Sequence, residues 1–136
     1  MVLVDTSVWS LALRRRPRDL NAAEKSIVDE WSSLVRSGAA ALIGPIRQEI
    51  LSGVRRTGEF DRLRTVLSAF RYIPILPRDY DEAASYLNRC RARGIAGTSV
   101  DLLLCAVATR AKAAVFAVDV DFEQFEKALP LRLHRT

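Results

Sequence analysis

The stretch TSVDLLLCAVATRAKAAVFAVD, residues 98–119, contains both kinds of element that decide the fold. Over 98–112 the residues Leu102, Leu103, Leu104, Ala106 and Val107 leave little polar face, so the segment reads as a central, largely buried helix. Directly after it, 114–118 is a short β-favouring apolar run that stops on Asp119. A buried helix feeding a buried strand with almost nothing between them is the joint from which parallel α/β sheets are built.

The same alternation extends in both directions. Strands are expected at 2–4, 40–43 and 72–76, with a weak further one at 131–133. A helix is expected to start at Thr6, and others over 22–35, from Pro45 through Val54, over 59–70 and over 79–93, the last closing at Gly94. Strands separated by helices require crossover connections, so the predicted fold class is α/β, a three-layer α/β/α sandwich with a mostly parallel central sheet. The 136 residues suit one domain, 1–136, and show no long linker, repeat or low-complexity run.

Composition excludes several classes. At 49% hydrophobic and 27% charged residues, disorder is ruled out, and no apolar run reaches a membrane span. With no signal-type segment at the start, the expected location is the cytoplasm. Cys90 and Cys105 fall in helical patterns and support neither a disulfide framework nor a zinc site; His134 reads as an incidental surface residue. The net charge is +5, and 18 of the 21 basic residues are arginine. That skew favours a phosphate-bearing partner, because the guanidinium fork pairs with phosphate in a way lysine does not.

Five acids stand apart from the helix surfaces. Asp5 ends the first strand, Asp119 ends the run at 114–118, and Asp121 follows two residues later. Glu49 lies one turn into the helix after the second strand, and Asp101 lies in the first turn of the apolar helix. In open α/β sheets ligands bind outside the carboxyl ends of the strands, which is where these residues cluster. Each also has a plainer reading. Asp5 caps the next helix, Thr98 and Asp101 form a capping box, Glu49 is a solvated helix residue, and Asp119 and Asp121 open a helix. Taken together, carboxylates sharing one place repel unless a cation compensates them, and an all-oxygen set favours Mg²⁺, with Mn²⁺ as the substitute. Such an ion in a basic protein suggests phosphodiester hydrolysis.

The ordered set Leu3-Val4-Asp5-Thr6-Ser7-Val8-Trp9, then Glu49, then 101–108 (DLLLCAVA), then Val118-Asp119-Val120-Asp121-Phe122, resembles the PIN-domain nucleases. Among them it looks most like the VapC toxins of bacterial VapBC toxin–antitoxin modules, over the whole chain. The resemblance implies that Asp5, Glu49, Asp101 and Asp119 are catalytic metal-binding acids with Asp121 as an auxiliary, supported by hydroxyls of Thr6, Ser7 and Thr98. It further implies an endoribonuclease that inhibits translation, a VapB-type antitoxin partner and a homodimer. Ala117 and Val120 depart from the family pattern of a threonine before, and a basic residue after, the fourth acid.

Arg14, Arg15, Arg16 and Arg18 are then candidate RNA-binding residues, or a solvated basic loop; Arg89, Arg91 and Arg93 near a helix end admit the same two readings. Trp9, Trp31 and Tyr72 read as core rather than as base-stacking platforms. Two competing functions remain. A non-catalytic RNA-binding or regulatory module keeps the fold without the hydrolysis. A haloacid-dehalogenase-like phosphatase would use Asp119 and Asp121 as its Asp-x-Asp motif, but that motif continues into Gly-Thr or a similar turn and a whole domain, whereas here Phe122 and Glu123 follow and 15 residues remain, so this is the weaker alternative.

Overall fold

The computed structural model describes residues 1–135. In chain order the elements are β1 (Val2–Val4), α1 (Thr6–Leu13), a 3₁₀ turn (Pro17–Asp19), α2 (Ala22–Arg36), β2 (Ala40–Leu42), α3 (Gly44–Leu51), α4 (Thr57–Ser68), β3 (Arg71–Tyr72), α5 (Pro77–Ala92), α6 (Ser99–Ala111), β4 (Ala114–Phe116) and α7 (Asp121–Ala128). The strands form one parallel sheet in the order β3-β2-β1-β4, with Val2 registered on both Ala40 and Ala114. β1, β2 and β4 are buried throughout, as a sheet covered on both faces requires.

The strand order explains the layers. From β1 the chain steps to β2 and β3 on one side, then crosses back to β4 on the other. Right-handed crossovers in opposite directions place their helices on opposite faces. Accordingly α1 packs with α2 and α3, and α3 with α4, whereas α5 packs with α6 and α7. This is the expected three-layer α/β/α sandwich. α5 and α6 are antiparallel: Asp79 near the start of α5 is buried and pairs with Arg110 near the end of α6 at 2.8 Å. Arg110 also donates to the Pro74 carbonyl at 2.7 Å.

The strands are shorter than expected, for identifiable reasons. The third was expected over 72–76 but pairs only at Arg71–Tyr72; its last ladder bond is Ile73 N–H to the Leu42 carbonyl at 2.9 Å, and Pro74 then has no N–H to continue. The fourth was expected over 114–118 and stops at Phe116, because the Val118 N–H turns to the Ser7 hydroxyl instead. The weak strand at 131–133 is a single parallel bridge, Val115 with Leu133. α7, open in the sequence as a helix start at Asp119 and Asp121, forms over Asp121–Ala128.

Trp9 is fully buried and donates its indole N–H to the Val4 carbonyl at 3.0 Å, with Trp31 and Phe70 edge-on to it at 5.6 and 4.9 Å. The Tyr72 hydroxyl donates to the Leu67 carbonyl and accepts from Arg47, each at 2.9 Å. These aromatics are structural, as expected. Cys90 and Cys105 are buried free thiols, and among the described residues no helix is long and apolar enough to cross a membrane.

Candidate metal centre

The place where chain direction across the sheet reverses lies between β1 and β4, and open α/β sheets bind ligands at the carboxyl ends of the strands flanking such a point. The backbone closes this edge directly: the Asp5 N–H donates to the Phe116 carbonyl at 2.8 Å. Ser7 closes it a second time. Its hydroxyl donates to Asp5 Oδ2 at 2.7 Å and accepts from the Val118 N–H at 3.0 Å. One serine thus ties the loop that carries Asp119 to the aspartate at the end of β1.

Asp5 is 6% exposed and serves as the α1 N-cap, its Oδ2 also accepting from the Ser7 N–H at 3.1 Å. Capping and burial at a functional edge therefore coincide in one residue. Burial pushes its carboxyl above the ordinary value; hydrogen bonds from Ser7 and the Thr6 amide oppose the rise, and the Glu49 charge adds to it. Thr6 supplies the link to α3, donating its hydroxyl to Glu49 Oε1 at 2.7 Å.

On the other side, Thr98 and Asp101 form the expected capping box of α6: Thr98 Oγ1 accepts from the Asp101 N–H at 3.1 Å, and Asp101 Oδ2 from the Thr98 N–H at 3.2 Å. Asp101 also titrates high, because of burial first and then the charges of Asp5 and Asp119. Asp5 is therefore in electrostatic reach of Glu49 and Asp101, and Asp101 of Asp119, the four acids coming from the end of β1, α3, α6 and the loop after β4. Asp119 Oδ1 accepts from the Asp121 N–H at 3.0 Å, so Asp121 sits at the same corner as the first residue of α7.

Each acid commits one oxygen to a local partner. Among the described residues the second oxygen of Glu49, Asp101 and Asp119 takes no hydrogen bond. Hard anionic oxygens, with two carboxyls titrating high from burial and one another, fit a divalent cation in chemistry and charge. As they stand, no three Asp, Glu, His or Cys side chains among the described residues are gathered closely enough to hold an ion.

The arginines divide by position. α1 carries the chain about 13 Å along its axis from Asp5 to Arg14, at ~1.5 Å per residue. There Arg15 lies 3.6 Å from Glu24 and Arg16 4.0 Å from Asp19, weak exposed pairs. Arg89, Arg91 and Arg93 end α5, and because α5 and α6 are antiparallel they are at the same end of the pair as Thr98 and Asp101.

One expectation is corrected. His134 is not an incidental surface residue: it is half-buried, its Nε2 is 2.7 Å from Glu30 Oε1, and its ring is edge-on to Phe116 at 5.2 Å. The signal was the weak strand at 131–133. Run parallel to β4, it carries residue 134 to the carboxyl edge, and the His134 N–H indeed donates to the Val115 carbonyl at 2.8 Å.

Among solved structures, the fold is similar to VapBC2 from Rickettsia felis bound to a DNA fragment from its promoter, at 15% identity over 98% of both chains and a TM-score of 0.75. It is also similar to FitAcB from Neisseria gonorrhoeae, at 19% identity over 99% of this chain and 97% of that one, TM-score 0.73. A third is VapC20 from Mycobacterium tuberculosis, a sarcin-ricin loop cleaving toxin, at 18% identity over 97% and 99%, TM-score 0.69. A comparison with curated protein sequences finds no significant match. The PIN domain family model matches residues 2–128, from β1 to the end of α7 and including all five acids, and the chain therefore belongs to the PIN domain family.

Proposed function

We propose that this protein is a VapC-type toxin, a Mg²⁺-dependent endoribonuclease that hydrolyses RNA phosphodiester bonds, inhibits translation and is neutralised by a VapB-type antitoxin. The observation that carries the reading is that four acids from four elements reach the carboxyl edge of the sheet at its switch point, where Glu49 raises Asp5 and the charges of Asp5 and Asp119 raise Asp101. The similarity in fold to toxin–antitoxin proteins supports the partner, and the VapC20 neighbour's cleavage of the sarcin-ricin loop supports RNA as the substrate class. A cytoplasmic homodimer completes the proposal.

In this reading Asp5, Glu49, Asp101 and Asp119 hold Mg²⁺, or Mn²⁺ in its place, with Asp121 as an auxiliary acid. When bound, the ion supplies a water of lowered pKa and stabilises the leaving oxygen. The chain's own residues do the rest. Ser7 fixes Asp5 against the β4 loop, Thr6 aims Glu49, and Thr98 sets the turn that presents Asp101. Arg14, Arg15, Arg16 and Arg18 bind RNA phosphates away from the cut, giving affinity without sequence choice.

Purified protein should cut single-stranded RNA with Mg²⁺ or Mn²⁺ and stop in EDTA, and Asp5→Asn should cut about a hundredfold more slowly or worse. Equal activity of Asp5→Asn and the parent would remove the assignment. A non-catalytic RNA-binding module is favoured by one observation, the spacing of the acids as they stand. In that case RNA stays intact and binds equally with and without Mg²⁺.

A further inference from the structure

A crevice of about 100 Å³ opens beside Asp119, between the loop after β4 and the C-terminal tail. Val118 and Asp119 line one side, Phe122 and Glu123 the α7 side, and His134 and Arg135 the tail side. It is far below the ~300–1,000 Å³ of a cofactor or drug-sized site, so its occupant is a single small group.

Its chemistry is mixed. Asp119 and Glu123 offer acceptors. Arg135, bonded to Glu126 by Nη1 at 3.1 Å and by Nη2 at 2.5 Å, offers a donor and lies within electrostatic reach of Glu123. Val118 is 38% exposed and Val120 72% exposed; with Met1 and Tyr80 they are the exposed large hydrophobics among the described residues. Two of those four therefore bracket Asp119. A phosphate is disfavoured here, because Asp119 and Glu123 line the crevice and Arg135 is already paired with Glu126. A neutral planar ring is not: it can pack on an aliphatic wall and hydrogen-bond at its edge, and unpaired nucleobases present both surfaces.

We propose that this crevice receives the unpaired nucleobase next to the scissile phosphate, with Val118 packing on its face and Glu123 and Arg135 reading its edge. The inference rests on the RNA-nuclease reading and adds to it a place where the choice of base is made.

The test uses the whole chain and short single-stranded RNA oligonucleotides differing by one base at a time around the cut. Parent cleavage should vary about tenfold with the base at a single position beside the cut. Glu123→Gln should reorder the bases at that position alone, and Val118→Trp, which fills the crevice, should flatten the preference, both variants melting as the parent does. Placing the target base in a duplex should abolish the cut. A parent preference that both variants leave unchanged overturns the proposal.

If the parent cuts no RNA, the nuclease reading falls, and the crevice is then read by fluorescence anisotropy with labelled oligouridylate, oligocytidylate and oligoadenylate in EDTA. A base ranking altered by Glu123→Gln retains the crevice as a base site, and equal or absent binding overturns it. If the variants lose capture of a co-expressed antitoxin while keeping the parent's base ranking, the crevice belongs to a protein partner and the proposal fails.

Discussion

Asp5 and Asp101 carry the electrostatic strain of the site. Both titrate above their ordinary value, burial being the first cause in each. Between the ordinary and the raised value the folded chain binds more protons than the unfolded one, so stability falls as pH rises through that window and the deficit persists at neutral pH. Asp5→Asn removes one of these charges while keeping an oxygen to accept from Ser7, so in EDTA at neutral pH it should melt a few degrees above the parent by scanning calorimetry. A lower melting temperature would mean that the cap depends on the charge itself. The sequence placed these residues well, because a strand-end acid followed by two hydroxyls is a local signal. It could not reveal that Ser7 also accepts from Val118, 111 positions away, since that bond exists only once β1 and β4 are neighbours.

At the scale of elements, α6 is held at its start by more than its capping box. A Cβ on Gly97 would lie 2.8 Å from both Leu102 Cδ2 and Phe125 Cζ, so a side chain at the turn into Thr98 forces these two buried side chains on α6 and α7 to shift. Gly97→Ala should destabilise the protein by about 1–3 kcal/mol in urea unfolding and weaken cleavage further by shifting Thr98 and Asp101. An unchanged urea midpoint would show that Leu102 and Phe125 yield without cost. The helices were legible from apolar periodicity and caps, which are properties of neighbouring residues. Strand ends were less so: the apolar residues of 73–76 outweighed Pro74, which cannot donate to the ladder and whose carbonyl is taken by Arg110. The tail was legible only as a weak strand, since one bridge to Val115 leaves little pattern, and His134 was misread with it.

For the molecule as a whole, strand order brings the acids to one edge of the sheet while the positive charge spreads over the helices. In the proposed reading, a net charge of +5 around an acidic centre suits a polyanion gripped at its flanks and cut at the middle. Replacing Arg14 and Arg16 by serine should weaken RNA binding alike for all sequences and flatten its salt dependence by about 0.7 for each phosphate no longer neutralised, with the rate at saturating RNA unchanged. A KCl series by fluorescence anisotropy checks this, and an unaltered slope would make these arginines ordinary surface. In the proposed reading Asp5, Glu49, Asp101 and Asp119 close on a divalent cation at the β1–β4 edge. Anomalous diffraction from crystals grown with Mn²⁺ tests it most directly. A Mn²⁺ peak is expected among those four carboxylates and should be absent from Asp5→Asn crystals grown alike; no peak there, or one unaffected by the substitution, would contradict the claim.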